Sequence, residues 1–130
     1  MASPVFELNI WKGLMGKLPK TMAWLLVVAI TVLSVVPPAS RPVTYAPHNL
    51  EHILVYLATG LAFGIGYPKR PWTLAIGLVA FAGAIEFVQL FIPGRHARLS
   101  DFIIDALAGC LGVAVSYMFA RLQPFRRQDL

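Results

Sequence analysis

The chain has 130 residues, a formal net charge of +5, 58% hydrophobic residues and 13% charged ones, against about 45–50% and about 25% in soluble domains. Its length allows one domain at most, and a domain that small exposes too much surface to be covered by eleven basic and six acidic side chains. A soluble globule and a disordered chain are both excluded, and a small polytopic membrane protein remains.

The N-terminal stretch Pro4–Leu18 carries Phe6, Leu8, Ile10, Trp11, Leu14 and Met15. It reads as a short interfacial helix within a cytoplasmic tail of residues 1–20. A first span follows over residues 21–37 and stops at Pro37-Pro38, which cannot continue a helix. It covers about 25 Å at about 1.5 Å per residue, short for a bilayer. Cleavage as a signal peptide is disfavoured, because prolines stand where an A-x-A site should be. The second run, Leu50 to Tyr67, opens with Glu51 and His52 and continues with Gly60, Gly64 and Gly66, a smooth face for close helix contact. The third run, Trp72 to Ile92, carries Glu86 and Gln89 near its end and is stopped by Pro93-Gly94. Ser100 reads as the N-cap of the fourth run, Asp101 to Ala120. Asp105, Ala108, Gly109 and Gly112 mark a packing face there. No strand pattern or repeat appears. The predicted fold is all-α: an antiparallel bundle of four transmembrane helices over residues 21–120, with a basic cytoplasmic tail at residues 121–130. The single cysteine, Cys110, excludes a disulfide framework and reads as a small packing residue.

Basic residues are distributed unevenly. The two tails and the second loop hold eight of them, and the first and third loops hold three. They lie between apolar runs and not on one solvated face, so the positive charge signals topology and not nucleic acid. With four spans the two termini share a side, and the positive-inside rule makes that side the cytoplasm.

That orientation collects the polar residues. Glu51, Glu86, Asp101 and Asp105 all fall in the outer half of the membrane, and His52, Gln89, Arg95, His96 and Arg98 join them. Tyr56 lies one turn below His52 on the same face. Glu86 and Gln89 share a face at i, i+3, as do Asp101 and Asp105 at i, i+4. An ionised carboxylate at this depth costs several kcal/mol unless paired or wet. Arg95, nine residues from Glu86 in sequence, is its expected partner. The reading is one outward-facing polar pocket built from His52, Tyr56, Glu86, Gln89, Arg95, Asp101 and Asp105. His48 and His96 read as solvated loop residues. Glu86, His52, Asp101 and Asp105 offer one histidine and no tight ligand spacing, so no metal and no cofactor is expected.

The run Glu86-x-x-Gln89-x-x-x-Pro93-Gly94-Arg95, followed by Asp101 and the glycines at 109 and 112, resembles the VanZ-like family of small bacterial membrane proteins. His52-x-x-x-Tyr56 resembles that family's H-x-x-x-Y stretch. The resemblance spans residues 49 to 112, about half the chain. Two departures from the family's usual pattern fall at three positions: His48-Asn49 stands in place of Asp-Lys, and Asp105 in place of Asn. The resemblance implies a bacterial inner-membrane location and a cell-envelope role, with antibiotic resistance of the glycopeptide (teicoplanin) type. It brings no settled reaction.

Two function classes follow. In the first, a non-catalytic membrane protein binds membrane lipids, a lipid-linked envelope precursor or an anionic headgroup. In the second, a membrane-embedded enzyme acts on an envelope lipid or lipid-linked glycan, with Glu86 as acid or base, His52 as proton shuttle and Arg95 as anion binder. The first is favoured, since no nucleophile stands beside a base. Topology is directly testable. A single cysteine placed at Ala97 should react with an impermeant thiol reagent on intact cells, and one at Gln128 should not; labelling of Gln128 from outside would overturn the orientation.

Overall fold

Prolines punctuate the chain, and the helices fall between them. The computed structural model describes residues 4–40, 45 and 47–122. Helix α1 spans Pro4–Val35, α2 His48–Gly66, α3 Pro71–Gln89 and α4 Leu99–Leu122, with a short 3-10 turn at Pro38–Ser40 after α1. Pro37 ends the first helix, Pro47 precedes the second, and Pro68 follows it. Pro71 occupies the first turn of α3, where its missing N–H has no intrahelical partner to lose. Gly94 takes a positive φ of 78° in the α3–α4 connection, a conformation that glycine adopts without steric cost.

Three boundaries differ from the sequence expectation. α1 runs unbroken through Pro19, so the tail helix and the first span are one element. α3 ends at Gln89 and not at Ile92, which places Glu86 one turn from the helix end instead of nearly two. α4 begins at Leu99, so Ser100 lies inside the helix. Its hydroxyl donates to Asp101 Oδ1 at 3.2 Å and does not cap the helix.

Among the described residues the architecture is all-helical. Gly16–Val35, Pro71–Gln89 and Leu99–Leu122 are long and apolar enough to cross a membrane, with mean hydropathies of 1.9, 1.7 and 1.9. α2 matches α3 in length at 19 residues, but its first two turns carry His48, Asn49, Glu51 and His52.

The polarity of α4 is reversed relative to a water-soluble helix. Its buried side is Asp101, Asp105, Ala106, Ala108, Gly109, Gly112 and Ser116, with Val113 as its one larger apolar member, while Leu107, Leu111, Met118, Phe119 and Leu122 face outward. Small and polar residues inside with large apolar residues outside is how helices associate in lipid, where tail-to-tail contact gives no hydrophobic drive and close packing must supply the attraction.

The most extensive contact is between α2 and α4, not between helices successive in sequence. These two run parallel, with His52 level with Asp105, Gly60 with Gly109 and Gly64 with Ser116. A Cβ at Gly60 would collide with the Gly109 carbonyl oxygen, and one at Gly112 with the Leu57 carbonyl oxygen. Glycine is therefore what lets the two backbones touch. Around this seam lie two apolar clusters. One comprises Ile30, Tyr56, Ala82, Ile85, Ala106 and Ala108; the other, toward the far end, comprises Ala23, Phe63, Leu78 and Val113.

Gly60→Ala should destabilise the protein by about 1–3 kcal/mol or more, the usual cost of overpacking. Gly77→Ala, where an added Cβ meets nothing within 4 Å, should be neutral. Unfolding in mixed detergent, followed by circular dichroism, compares the two. Equal stability of both variants would mean that the seam is not glycine-limited.

Candidate functional site

The end of α1, the start of α2, the end of α3 and the start of α4 meet at one end of the bundle. There α2, α3, α4 and the connection between α3 and α4 line an open cavity of about 360 Å³. Of the residues expected there, His52, Gln89, Arg95 and Asp101 line it, together with His48, Gly94, His96 and Arg98.

His52 is the link between α2 and α4. Its Nδ1 lies 2.9 and 3.1 Å from the two carboxylate oxygens of Asp105. Asp105 is 1% exposed, so its carboxyl group is shielded from water and relies on the imidazole as its hydrogen-bond partner. One turn before His52, His48 stacks edge-on against it with ring centroids 4.4 Å apart. His48 Nε2 lies 3.5 Å from Asp101 Oδ2. Two His–Asp pairs therefore join the first turns of α2 and α4. Asp105 is accommodated by this geometry, with His52 as its hydrogen-bond partner.

Arg95 and Glu86 do not form the contact expected of them. Arg95 Nη2 donates to the carbonyls of Leu33 at 2.6 Å and Val36 at 3.0 Å. A cation is thereby set against the C-terminal end of α1, where the last carbonyls have no partner within the helix and the helix dipole is negative. Glu86 Oε2 instead accepts the backbone N–H of Arg98 at 3.1 Å. The physical reason is the loop: the turn at Gly94 swings Arg95 toward α1 and returns the chain over α3. Glu86 is buried, and its Oε1 has no hydrogen-bond partner among the described residues.

Glu86 faces a second hollow of about 290 Å³, open on the bundle's flank between α3 and α4. Gly83, Phe87, Leu90 and Phe102 give it apolar walls, and Arg98 stands at its edge. Tyr56 lies below the polar cavity, 1% exposed and packed in the apolar cluster with Ile85 and Ala106. It does not line either hollow.

His48 is the residue that the sequence reading missed. Its side chain is half exposed, as expected, but it belongs to α2 and not to the loop. The signal was available in the spacing: His48 and His52 are i, i+4, which puts both rings on one helix face.

The His52–Asp105 pair should behave as one unit. His52→Ala leaves a buried carboxylate uncompensated and should cost about 3–5 kcal/mol. Asp105→Asn removes the charge, keeps an acceptor for Nδ1–H and should cost less. A double-mutant cycle in detergent unfolding measures the coupling; additive effects would show that the pair carries no interaction of its own.

Residues 11–120 match the VanZ/LLP1 family. No curated protein and no solved structure matches the chain at a significant level. The family match covers every residue that lines the polar cavity, all of α2 and α3 and most of α1 and α4, and the chain therefore belongs to the VanZ/LLP1 family.

Proposed function

We propose that the protein is a multi-pass component of a bacterial cell membrane with both termini cytoplasmic, and that its polar cavity opens outward and receives the anionic headgroup of an envelope lipid or lipid-linked precursor. The observation that carries this reading is the position of Arg98. It lines both the polar cavity and the apolar hollow on the bundle's flank. A guanidinium at that junction suits a phosphate, which it can grip through two parallel N–H donors. The headgroup then occupies the cavity beside His96 and Gln89, and an acyl chain lies along Phe87, Leu90 and Phe102. The basic rim also attracts anionic lipid from the bilayer. The physiological role under this reading is in the cell envelope, with glycopeptide tolerance as its outcome.

A second reading, an enzyme acting on the same lipid, is favoured by one observation. Glu86 lines the flank hollow that Arg98 shares and has a buried carboxylate oxygen with no hydrogen-bond partner among the described residues, a carboxyl group available for proton transfer next to the proposed phosphate position. Glu86→Gln separates the two, since a binder keeps its lipid affinity and its phenotype while an enzyme keeps only the affinity.

Native mass spectrometry of the purified protein with phosphatidylglycerol or phosphatidylcholine tests the headgroup assignment. Phosphatidylglycerol should be retained preferentially. Arg98→Ala should weaken it about tenfold, which corresponds to about 1.4 kcal/mol. Equal retention of both lipids, or no loss in Arg98→Ala, would overturn the assignment. In cells, His52→Ala, Gln89→Ala and Asp101→Asn at normal membrane abundance should each reduce tolerance to a glycopeptide. Undiminished tolerance in all three would leave the cluster only a structural role.

A further inference from the structure

The cavity mouth holds a second kind of site. One ligand atom from each of His48, His52 and Asp101 lies within 4.8 Å of the other two. We infer that these three residues bind a divalent transition-metal ion of the zinc type.

The first argument is distance. Zinc binds histidine nitrogen and carboxylate oxygen at about 2.0–2.2 Å in a tetrahedral shell, so its ligand atoms stand roughly 3.3–3.6 Å apart. His48 Nε2 and Asp101 Oδ2 already stand at 3.5 Å. The remaining gap closes with side-chain rotation on the order of an ångström, and the 4.4 Å stacking of the two imidazoles keeps His52 beside His48.

The second argument is what stands behind the ligands. A metal-binding histidine usually gives its other ring nitrogen to a carboxylate, which fixes the ring and raises its basicity. Asp105 does this at Nδ1 of His52, leaving Nε2 for the ion. A metal-binding carboxylate is usually hydrogen-bonded as well. Ser100 Oγ donates to Asp101 Oδ1, leaving Oδ2 for the ion. Two of the three ligands are thus oriented by a partner that does not compete for the metal. A buried Asp105 has a purpose here that a helix-register device would not need.

The third argument is donor chemistry and access. Two imidazoles and one carboxylate suit zinc better than magnesium or calcium, which take oxygen shells. Three protein ligands leave a fourth position for water or an anionic oxygen. That position faces the 360 Å³ cavity lined by Gln89, His96 and Arg98. The His48 side chain is 51% exposed, so the ion has a path from solvent. The site is independent of the lipid reading, because water alone completes it; should both hold, the ion and Arg98 would grip one phosphate from two sides.

The test uses the untagged full-length chain in detergent, stripped with a chelator and titrated with Zn²⁺ alone by calorimetry. One ion per chain is expected. His48→Ala, at an exposed helix start, should retain the helical circular dichroism spectrum and lose at least tenfold in affinity. Asp105→Asn, a positioning substitution, should weaken binding about 10–100-fold. Co²⁺ in the same site should show the intense visible absorption of tetrahedral coordination, and that band should disappear in His48→Ala. Arg98→Ala should bind the ion as the unmodified chain does, which separates this site from the lipid headgroup site. Absence of saturable Zn²⁺ uptake, or unchanged affinity in His48→Ala, would overturn the inference.

Discussion

The structure depends on the approach of two backbones. α2 and α4 touch at Gly60, Gly109 and Gly112 with no side chain between them. Only at that separation do the first turns of the same helices bring His52 within 3 Å of Asp105 and His48 close to Asp101. The polar cavity is therefore a product of packing elsewhere. Glycine in the middle of the two helices sets the spacing of histidine and aspartate near their starts. The dependence also runs the other way, because a buried Asp105 without its imidazole would push the two helices apart or draw water between them.

The remaining two helices close the site without building it. α3 contributes Glu86 and Gln89 from its last turn, and α1 contributes carbonyls that receive Arg95. Arg95 thus holds the most peripheral helix to the loop that forms the cavity's rim. Among its described side chains α1 buries few, with Ala23, Ile30 and Ser34 as the inward positions. One charged hydrogen-bonding group at its end is correspondingly important, since such bonds contribute about 1.5–3 kcal/mol.

Fold class was legible in the sequence because composition and run length report directly on the solvent. Helix existence followed from the apolar runs, and helix ends from the prolines, to within a few residues. Gly60, Gly109 and Gly112 were legible as a contact face, but not that α2 pairs chiefly with α4, since glycine reveals a close approach without naming its partner. Four of the expected pocket residues, His52, Gln89, Arg95 and Asp101, line one cavity, because helix depth can be counted from a terminus. Pair identities could not be counted in this way. The Arg95 contact depends on a loop path set by the φ of Gly94, and loop paths leave no periodicity. Glu86 found a backbone donor, which a reading of charged side chains does not consider. His48 was passed over because it lies just outside the apolar run, although its spacing from His52 was visible.

The bond between Glu86 and residue 98 has an evolutionary consequence. The donor is the main-chain N–H, which every amino acid except proline supplies. What holds Glu86 is thus the route of the connection and not the identity of the residue there. The Arg98 side chain is then free to be exchanged, and with it the charge offered at the junction of the two hollows, while α3 keeps its anchor. The side chain at this position can therefore change without altering how α3 is anchored.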